Sequence, residues 1–274
     1  MRSIRSRLAV LVIPMLLALP ALSGCARNPG APQGRARVAL AVRWAAPAAA
    51  DSMVDSLTAE ALDAAEGVLS GPVSLELLPD RSFRGRLDVH AGGGRRIRVH
   101  AFARGDEFYR GTSDYFTLRP ADSIGVSVTL APSVEFFLEA TPRSVAHGDS
   151  FEVALRYRGS APLRGVQADL TFNPVVVDFA HVVDRDVSLA GFDWSVNAPG
   201  RLRVLLYGNA PGERLGPGGP VTLCTLRFER RASCPGGDCP PLIGTPLGLQ
   251  GVSAAGVHGL SQPVSAAGDS VVFK

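Results

Sequence analysis

The sequence predicts an all-β chain organised as two β-sandwich domains in series. Three observations carry that prediction. Short runs of alternating apolar and polar residues recur roughly every dozen positions, the spacing of half-buried strands. Turn formers punctuate them, with 30 glycines and 21 prolines in 274 residues. Sustained helical periodicity is scarce and aromatics are only 7%, as in a loop-rich all-β protein.

The first strand is RVALAVRW at 37–44. Residues 51–69 are ambiguous. DSLTAEALDAAEGVL contains good helix formers, yet Leu57, Ala59 and Ala61 alternate, which favours a strand followed by a loop. VSLELLP follows at 73–79, then RGRLDVHAGGGRRIRVHAF. There Gly92-Gly93-Gly94 reads as the turn of a hairpin joining two alternating runs. FYRGTSDYFTLRP and IGVSVTLAP complete about seven strands, and the first domain closes near Pro132, spanning 37–132. The second, 133–274, starts with FFLEATP and continues with HGDSFEVALRY, where Phe151, Val153, Leu155 and Tyr157 share a face. The stretch 163–182, LRGVQADLTFNPVVVDFAHV, should set Val166, Ala168, Leu170 and Phe172 inward and Gln167, Asp169, Thr171 and Asn173 outward. Pro174 ends that strand, because it has no N–H for a ladder. Val177, Phe179 and Val182 re-enter the core. GRLRVLLYGN, PVTLCTLRFERR, TPLGLQGVSA and DSVVFK supply the remaining strands.

The amino-terminal 24 residues read as an export leader. Arg2, Arg5 and Arg7 precede an apolar run from Leu8 to Ala21, too short to span a bilayer comfortably. Leu22-Ser23-Gly24-Cys25 resembles the bacterial lipobox, which implies cleavage before Cys25 and a diacylglycerol on its sulfur; the alternative is an ordinary leader with a chance cysteine. Lipid chains add about 0.8 kcal/mol per buried methylene, so two or three hold a protein firmly on a membrane. Residues 25–36 then form the lipidated cysteine and a short tether. Ala26 stands where an acidic residue would suggest inner-membrane retention, so an outer membrane is favoured if one is present.

The net charge of +3 belongs to the leader. Without its three arginines, 25 basic side chains face 25 acidic ones, and a neutral body has no footprint for nucleic acid. Of the three remaining cysteines, Cys234 and Cys239 bracket Pro-Gly-Gly-Asp, a turn able to bring them within disulfide reach. An exported chain favours that disulfide over a metal site. Cys224, on one strand face with Leu226 and Phe228, is expected to be a buried thiol.

The second domain resembles the cohesin family, over most of 134–274. The residues that carry the resemblance are Gly148-Asp149-Ser150-Phe151-Glu152-Val153 and the strand Gly165 to Leu170, which leads into Phe172-Asn173-Pro174 with Val177 in the apolar place. They continue with Asn197-Ala198-Pro199-Gly200 before the strand Arg201 to Leu206, then Leu226-Arg227-Phe228 and a final hairpin ending Val271-Val272-Phe273. Asn173 stands where the family usually has Asp, and the Cys234–Cys239 loop is an addition. The resemblance implies a jelly-roll sandwich and a recognition role. It does not imply that dockerin is the partner. The first domain looks more loosely like immunoglobulin- or transthyretin-like surface modules, through the segment around Ala91-Gly92 and Tyr109-Arg110-Gly111.

No compact catalytic pattern emerges. The histidines (His90, His100, His147, His181 and His258) show no HxH or HExxH spacing, although His90 and His100 would approach across the expected hairpin. Gly92-Gly93-Gly94-Arg95-Arg96 lacks the spacing of a phosphate loop and a following helix. Asp184 and Asp186 alternate as in a calcium loop, but Leu189 and Ser195 occupy the positions needing Gly and Glu. No cofactor or metal is therefore expected, with an irregular calcium site near Asp184 and Asp186 as the minor alternative. The candidate recognition residues are Gln167, Asp169, Thr171 and Asn173, together with Trp194, Tyr207 and Asn209. The expected function is that of a non-catalytic envelope protein held to the membrane through lipidated Cys25. It would bind another envelope or secreted protein in adhesion or scaffolding. The alternative is a polysaccharide-binding module with Trp194 as a sugar platform; a surface hydrolase ranks last.

Overall fold

The structure, a computed structural model, describes residues 34–45, 53–78, 82–146, 148–232 and 244–274. The leader, Cys25, the Cys234/Cys239 pair and His147 lie outside the described residues. Every regular element among the described residues is a strand.

The first unit contains β1 (Arg35–Trp44), β2 (Ser56–Leu62), β3 (Val68–Leu77), β4 (Phe83–His90), β5 (Gly92–Ala103), β6 (Asp106–Thr112), β7 (Phe116–Leu118) and β8 (Ser123–Pro132). Their order is β2-β3-β4-β1-β8-β6-β5-β7, and β2 also pairs with β5, so the sheet closes on itself. Two strands turn the corners. β3 pairs with β2 up to Leu57↔Leu75 and with β4 at Leu77↔Phe83. β8 runs parallel to β1 from Ser123 to Leu130 and then reaches β6 at Tyr109↔Pro132. Long strands that change partners along their length let the closed sheet turn its corners and leave few open edges. Alternation decides the ambiguous segment: Leu57, Ala59 and Ala61 are buried in the core, and neighbours on both sides of β2 take its backbone groups.

The expected glycine hairpin is not formed. β4 pairs with β1 and β3, whereas β5 pairs with β2, β6 and β7. Ala91 is the crossing point between them. The glycines instead let Arg95 fold back, donating to the carbonyls of His90 and Ala91 at 3.1 and 2.9 Å. A side chain at Gly92 would collide with that guanidinium. His100 consequently meets Glu107 at 3.1 Å and Glu60 at 3.4 Å, carboxylates that Arg110 and Arg98 also hold. Burial raises the Glu107 pKa, but hydrogen bonds from His100 and Arg110 outweigh it and hold the carboxyl below its usual range.

The second unit contains β9 (Val134–Thr141), β10 (Ser144–Val145), β11 (Ser150–Gly159), β12 (Leu163–Thr171), β13 (Val177–Arg185), β14 (Gly191–Ala198), β15 (Arg201–Tyr207) and β16 (Gly218–Arg230). It ends with β17 (Gly244–Gly256), β18 (Ser261–Gln262), β19 (Val264–Ala267) and β20 (Asp269–Phe273). One sheet runs β10-β20-β17-β12-β15-β14, with β18 on β17; the facing sheet runs β13-β16-β11-β9-β19. Phe151, Val153, Leu155 and Tyr157 of β11 are buried between them, as are Val166, Ala168 and Leu170 of β12. The Tyr157 hydroxyl donates to the Ala161 carbonyl at 2.7 Å, and burial pushes its pKa up to about 12. Cys224 is the expected buried thiol, pushed up to about 12 by the same cause. β14 is not among the strands anticipated from sequence, although Phe192, Trp194 and Val196 alternate there with Asp193, Ser195 and Asn197.

The units meet at Ser133, whose hydroxyl donates to the Glu107 carbonyl at 2.7 Å. The turn between β17 and β18 reaches across from the second unit. Leu260 packs on the first core, and His258 Nδ1 lies 3.0 Å from buried Asp106. Gly256 is required at this contact, since a Cβ there would lie 2.9 Å from Asp106 Oδ2 and 2.7 Å from Gln262 Nε2.

Candidate recognition face

The outward side of the β17–β12–β15–β14 sheet is a lattice set by strand register. Gly165 of β12 stands opposite Tyr207 and Ala255; Gln167 opposite Leu205 and Ser253; Asp169 opposite Arg203 and Gln250; Thr171 opposite Arg201 and Gly248. On the far side of β15, Gly191, Asp193 and Ser195 face Tyr207, Leu205 and Arg203. Directly opposed residues share a face, so these side chains form one surface.

Its centre is an ion triad. Arg203 approaches Asp169 as a fork, with Nε on Oδ1 at 2.7 Å and Nη2 on Oδ2 at 3.0 Å. Arg201 donates to Oδ2 from Nε at 3.1 Å and also from Nη2. Two-pronged guanidinium–carboxylate contacts of this kind are directional and strong. The arginines cover the acid so fully that Asp169 is 1% exposed, while their own side chains remain 44% and 40% exposed. Hydrogen bonds from Arg203, then Arg201, hold the Asp169 carboxyl below its usual range against the opposing effect of burial. Asp169 raises the Arg203 pKa in turn. Asp169 is thus not an exposed contact; it aims two cations outward.

Beside the triad is a shallow depression of about 320 Å³, walled by Gln167, Leu205, Tyr207 and Ser253 over Gly165 and Ala255. Small residues on β12 and β17 make the hollow, and Tyr207, 40% exposed, forms its rim. A larger cleft of about 500 Å³ lies between the two units. Its Arg158 is paired with Glu135 at 2.6 Å and its Arg110 with Glu107 at 2.8 Å.

The structure brings together Gln167, Asp169, Thr171 and Tyr207, with Asn209 just past the end of β15. Asn209 belongs to a loop in which its N–H donates to Glu213 at 2.7 Å. Asn173 is instead a turn residue: its Oδ1 accepts from the Val175 N–H at 3.0 Å, so it does not join the face. Trp194 points to the inner side of β14, edge-on to Phe179 at 5.1 Å, because it stands opposite buried Val204. It is 43% exposed only because it fills the open side of the sandwich. Asp184 and Asp186 receive the N–H groups of Arg185 and Ser188 at 2.7 and 2.6 Å, as turn caps do. Sequence reasoning missed Arg201, Arg203, Leu205, Gln250 and Ser253. Alternation in RLRVLLY is a signal that places Arg201, Arg203 and Leu205 on one side of β15, but it does not say which strand lies beside it.

No family model matches this chain, and no curated protein does. Solved structures similar to about half of it are cohesin modules. The sixth cohesin of Acetivibrio cellulolyticus scaffoldin B, solved in complex with a dockerin, is 10% identical over 52% of this chain and 99% of that one, with TM-score 0.43. A non-cellulosomal cohesin from the archaeon Archaeoglobus fulgidus is 14% identical over 52% and 91%, with TM-score 0.41. The cohesin module of a Clostridium perfringens family 33 glycoside hydrolase is 14% identical over 51% and 96%, with TM-score 0.42.

Proposed function

We propose that this chain is a non-catalytic protein-recognition module, held to the cell envelope through lipid on Cys25 and used in adhesion or scaffolding. The observation that supports it best is the outer face of the β17–β12–β15–β14 sheet. Two arginines fixed by a buried carboxylate lose little freedom when a partner docks, which favours specific association. The neighbouring hollow offers a partner side chain a desolvated seat beside Tyr207, a residue type enriched among interface hot spots.

The test uses the whole chain as bait for secreted and envelope proteins of the source cell. Leu205→Lys with Tyr207→Asp is expected to weaken the captured complex by about 30-fold, equivalent to roughly 2 kcal/mol. Val68→Ser, at an exposed residue of β3 in the first unit, should leave capture unchanged. Capture indifferent to the face variants would sink the reading. Binding on a glycan array that is lost in Tyr207→Ala, at the exposed ring of that face, would replace the protein partner with a polysaccharide. For the anchor, incorporation of an alkyne-labelled fatty acid is expected in the unsubstituted chain and should vanish in Cys25→Ser.

A further inference from the structure

We propose that β14 pairs edge to edge with β14 of a second copy of this chain, antiparallel about a two-fold axis at Trp194. This surface is the sheet's edge rather than its outer face, and the proposal does not rest on the recognition reading.

Hydrogen bonds at both ends of the β12–β15 ladder show which way each backbone group points. Phe172 N–H donates to the Gly200 carbonyl at 2.9 Å, and Gly208 N–H to the Arg164 carbonyl at 2.8 Å. Bonding pairs alternate along an antiparallel ladder, so Leu202, Val204 and Leu206 bond β12. Arg201, Arg203, Leu205 and Tyr207 therefore direct their groups at β14, meeting it at Ser195, Asp193 and Gly191. Phe192, Trp194 and Val196 are left pointing N–H and C=O away from the sheet. Among the described residues no strand lies beyond them.

Edge strands are commonly defended by lysine, proline or inward charge. Gly191–Ala198 has no Lys, Arg or Pro. Its one device is Asp193, whose Oδ1 accepts the Trp194 N–H at 2.8 Å. The same three residues carry the apolar side chains, and Trp194 and Val196 are 43% and 53% exposed. Apart from the Trp194 N–H, the outward backbone groups of the edge lie at the same positions as its apolar side chains.

The strand is also its own complement. With the axis at Trp194, the two tryptophans oppose each other, Phe192 opposes Val196 of the second copy, and Asp193 opposes Ser195. The outward-pointing groups of Phe192 and Val196 then meet each other, giving about four new ladder bonds, and each Trp194 N–H reaches the facing Trp194 carbonyl by exchanging its Asp193 Oδ1 acceptor. Apolar residues face apolar residues, and Asp193 sits next to the column of Arg203, which flanks Ser195 across the ladder. A one-residue slip would mix the two faces. A two-residue slip one way opposes Asp193 to itself, and the other way sets Phe192 against Ala198 at the bulge between Val196 and Ala198. A closed two-fold pair leaves no further edge on this side for growth.

Register-specific cross-linking tests the arrangement with the whole chain in detergent. Asp193→Cys and Ser195→Cys chains, mixed under mild oxidation, should form a disulfide, since opposed strand residues lie within disulfide range. Neither variant alone should exceed the unsubstituted chain. Equal yields from a single variant, or none from the mixture, would overturn the proposal. Sedimentation of the unsubstituted chain should show a monomer–dimer equilibrium that Val196→Lys weakens at least about tenfold. A monomer at every concentration, or a dimer indifferent to Val196→Lys, would overturn it equally.

Discussion

Phe228→Ala is expected to lower the stability of the second unit by about 4 kcal/mol, roughly a 12 °C drop in Tm. Phe228 is fully buried and stands at the meeting point of three other rings. Phe151 stacks on it at 5.7 Å, and Phe172 and Phe179 meet it edge-on at 5.2 and 5.6 Å. These rings come from three adjacent strands of one sheet and the turn after β12 in the facing layer, so the cavity left by truncation cannot close by moving one side chain. Phe228→Leu keeps most of the volume and should cost about 1.5 kcal/mol. Denaturant titration on a Trp44→Phe background checks this, because Trp194 then reports alone from its place on Phe179. Equal midpoints for the alanine and leucine variants would show that the aromatic cluster is not the centre of the core.

Asp169→Asn is expected to cost about 2 kcal/mol at neutral pH and to flatten the acid limb of the stability curve. That figure is kept low because both arginines are substantially exposed and are partly solvated once released. Folding lowers the Asp169 pKa below its ordinary 3.8, chiefly through Arg203. The folded state therefore gains from the carboxylate at all pH values above the unfolded pKa. That gain is lost as pH falls from about 4 through the folded pKa. Glu107, likewise lowered, contributes to the same acid window in both proteins, so the difference between the two curves isolates Asp169. Parallel acid limbs would show that the triad contributes nothing through ionisation. Removing Arg203 instead leaves the buried acid with one cation, and its pKa should rise.

Much of the fold was legible because alternation at a period of two is a local signal. Phe151, Val153, Leu155 and Tyr157, or Val166, Ala168 and Leu170, announce their strands and their inward side without reference to any neighbour. Pairing is a different matter. Nothing local says that β4 and β5 take different partners, and three adjacent glycines look like a hairpin turn although Arg95 folds back against them. The face failed for the same reason. Asp169 was rightly set on the outward side of β12, but its burial is decided by Arg203, 34 residues away. The ring chemistry of Trp194 suggests a sugar platform, whereas the buried residue opposite it in β15 determines where that ring points.

The parallel pairing of β1 and β8 has a mechanical consequence. Chain leaving the start of β1 and chain passing from β8 to β9 depart from opposite ends of one eight-residue ladder. Tension between an attachment before β1 and a load on the second unit would slide the two strands along each other. Every bond of that ladder is then strained together, and none can be peeled ahead of the rest. A short ladder loaded in shear resists pulling far better than the same bonds opened one at a time.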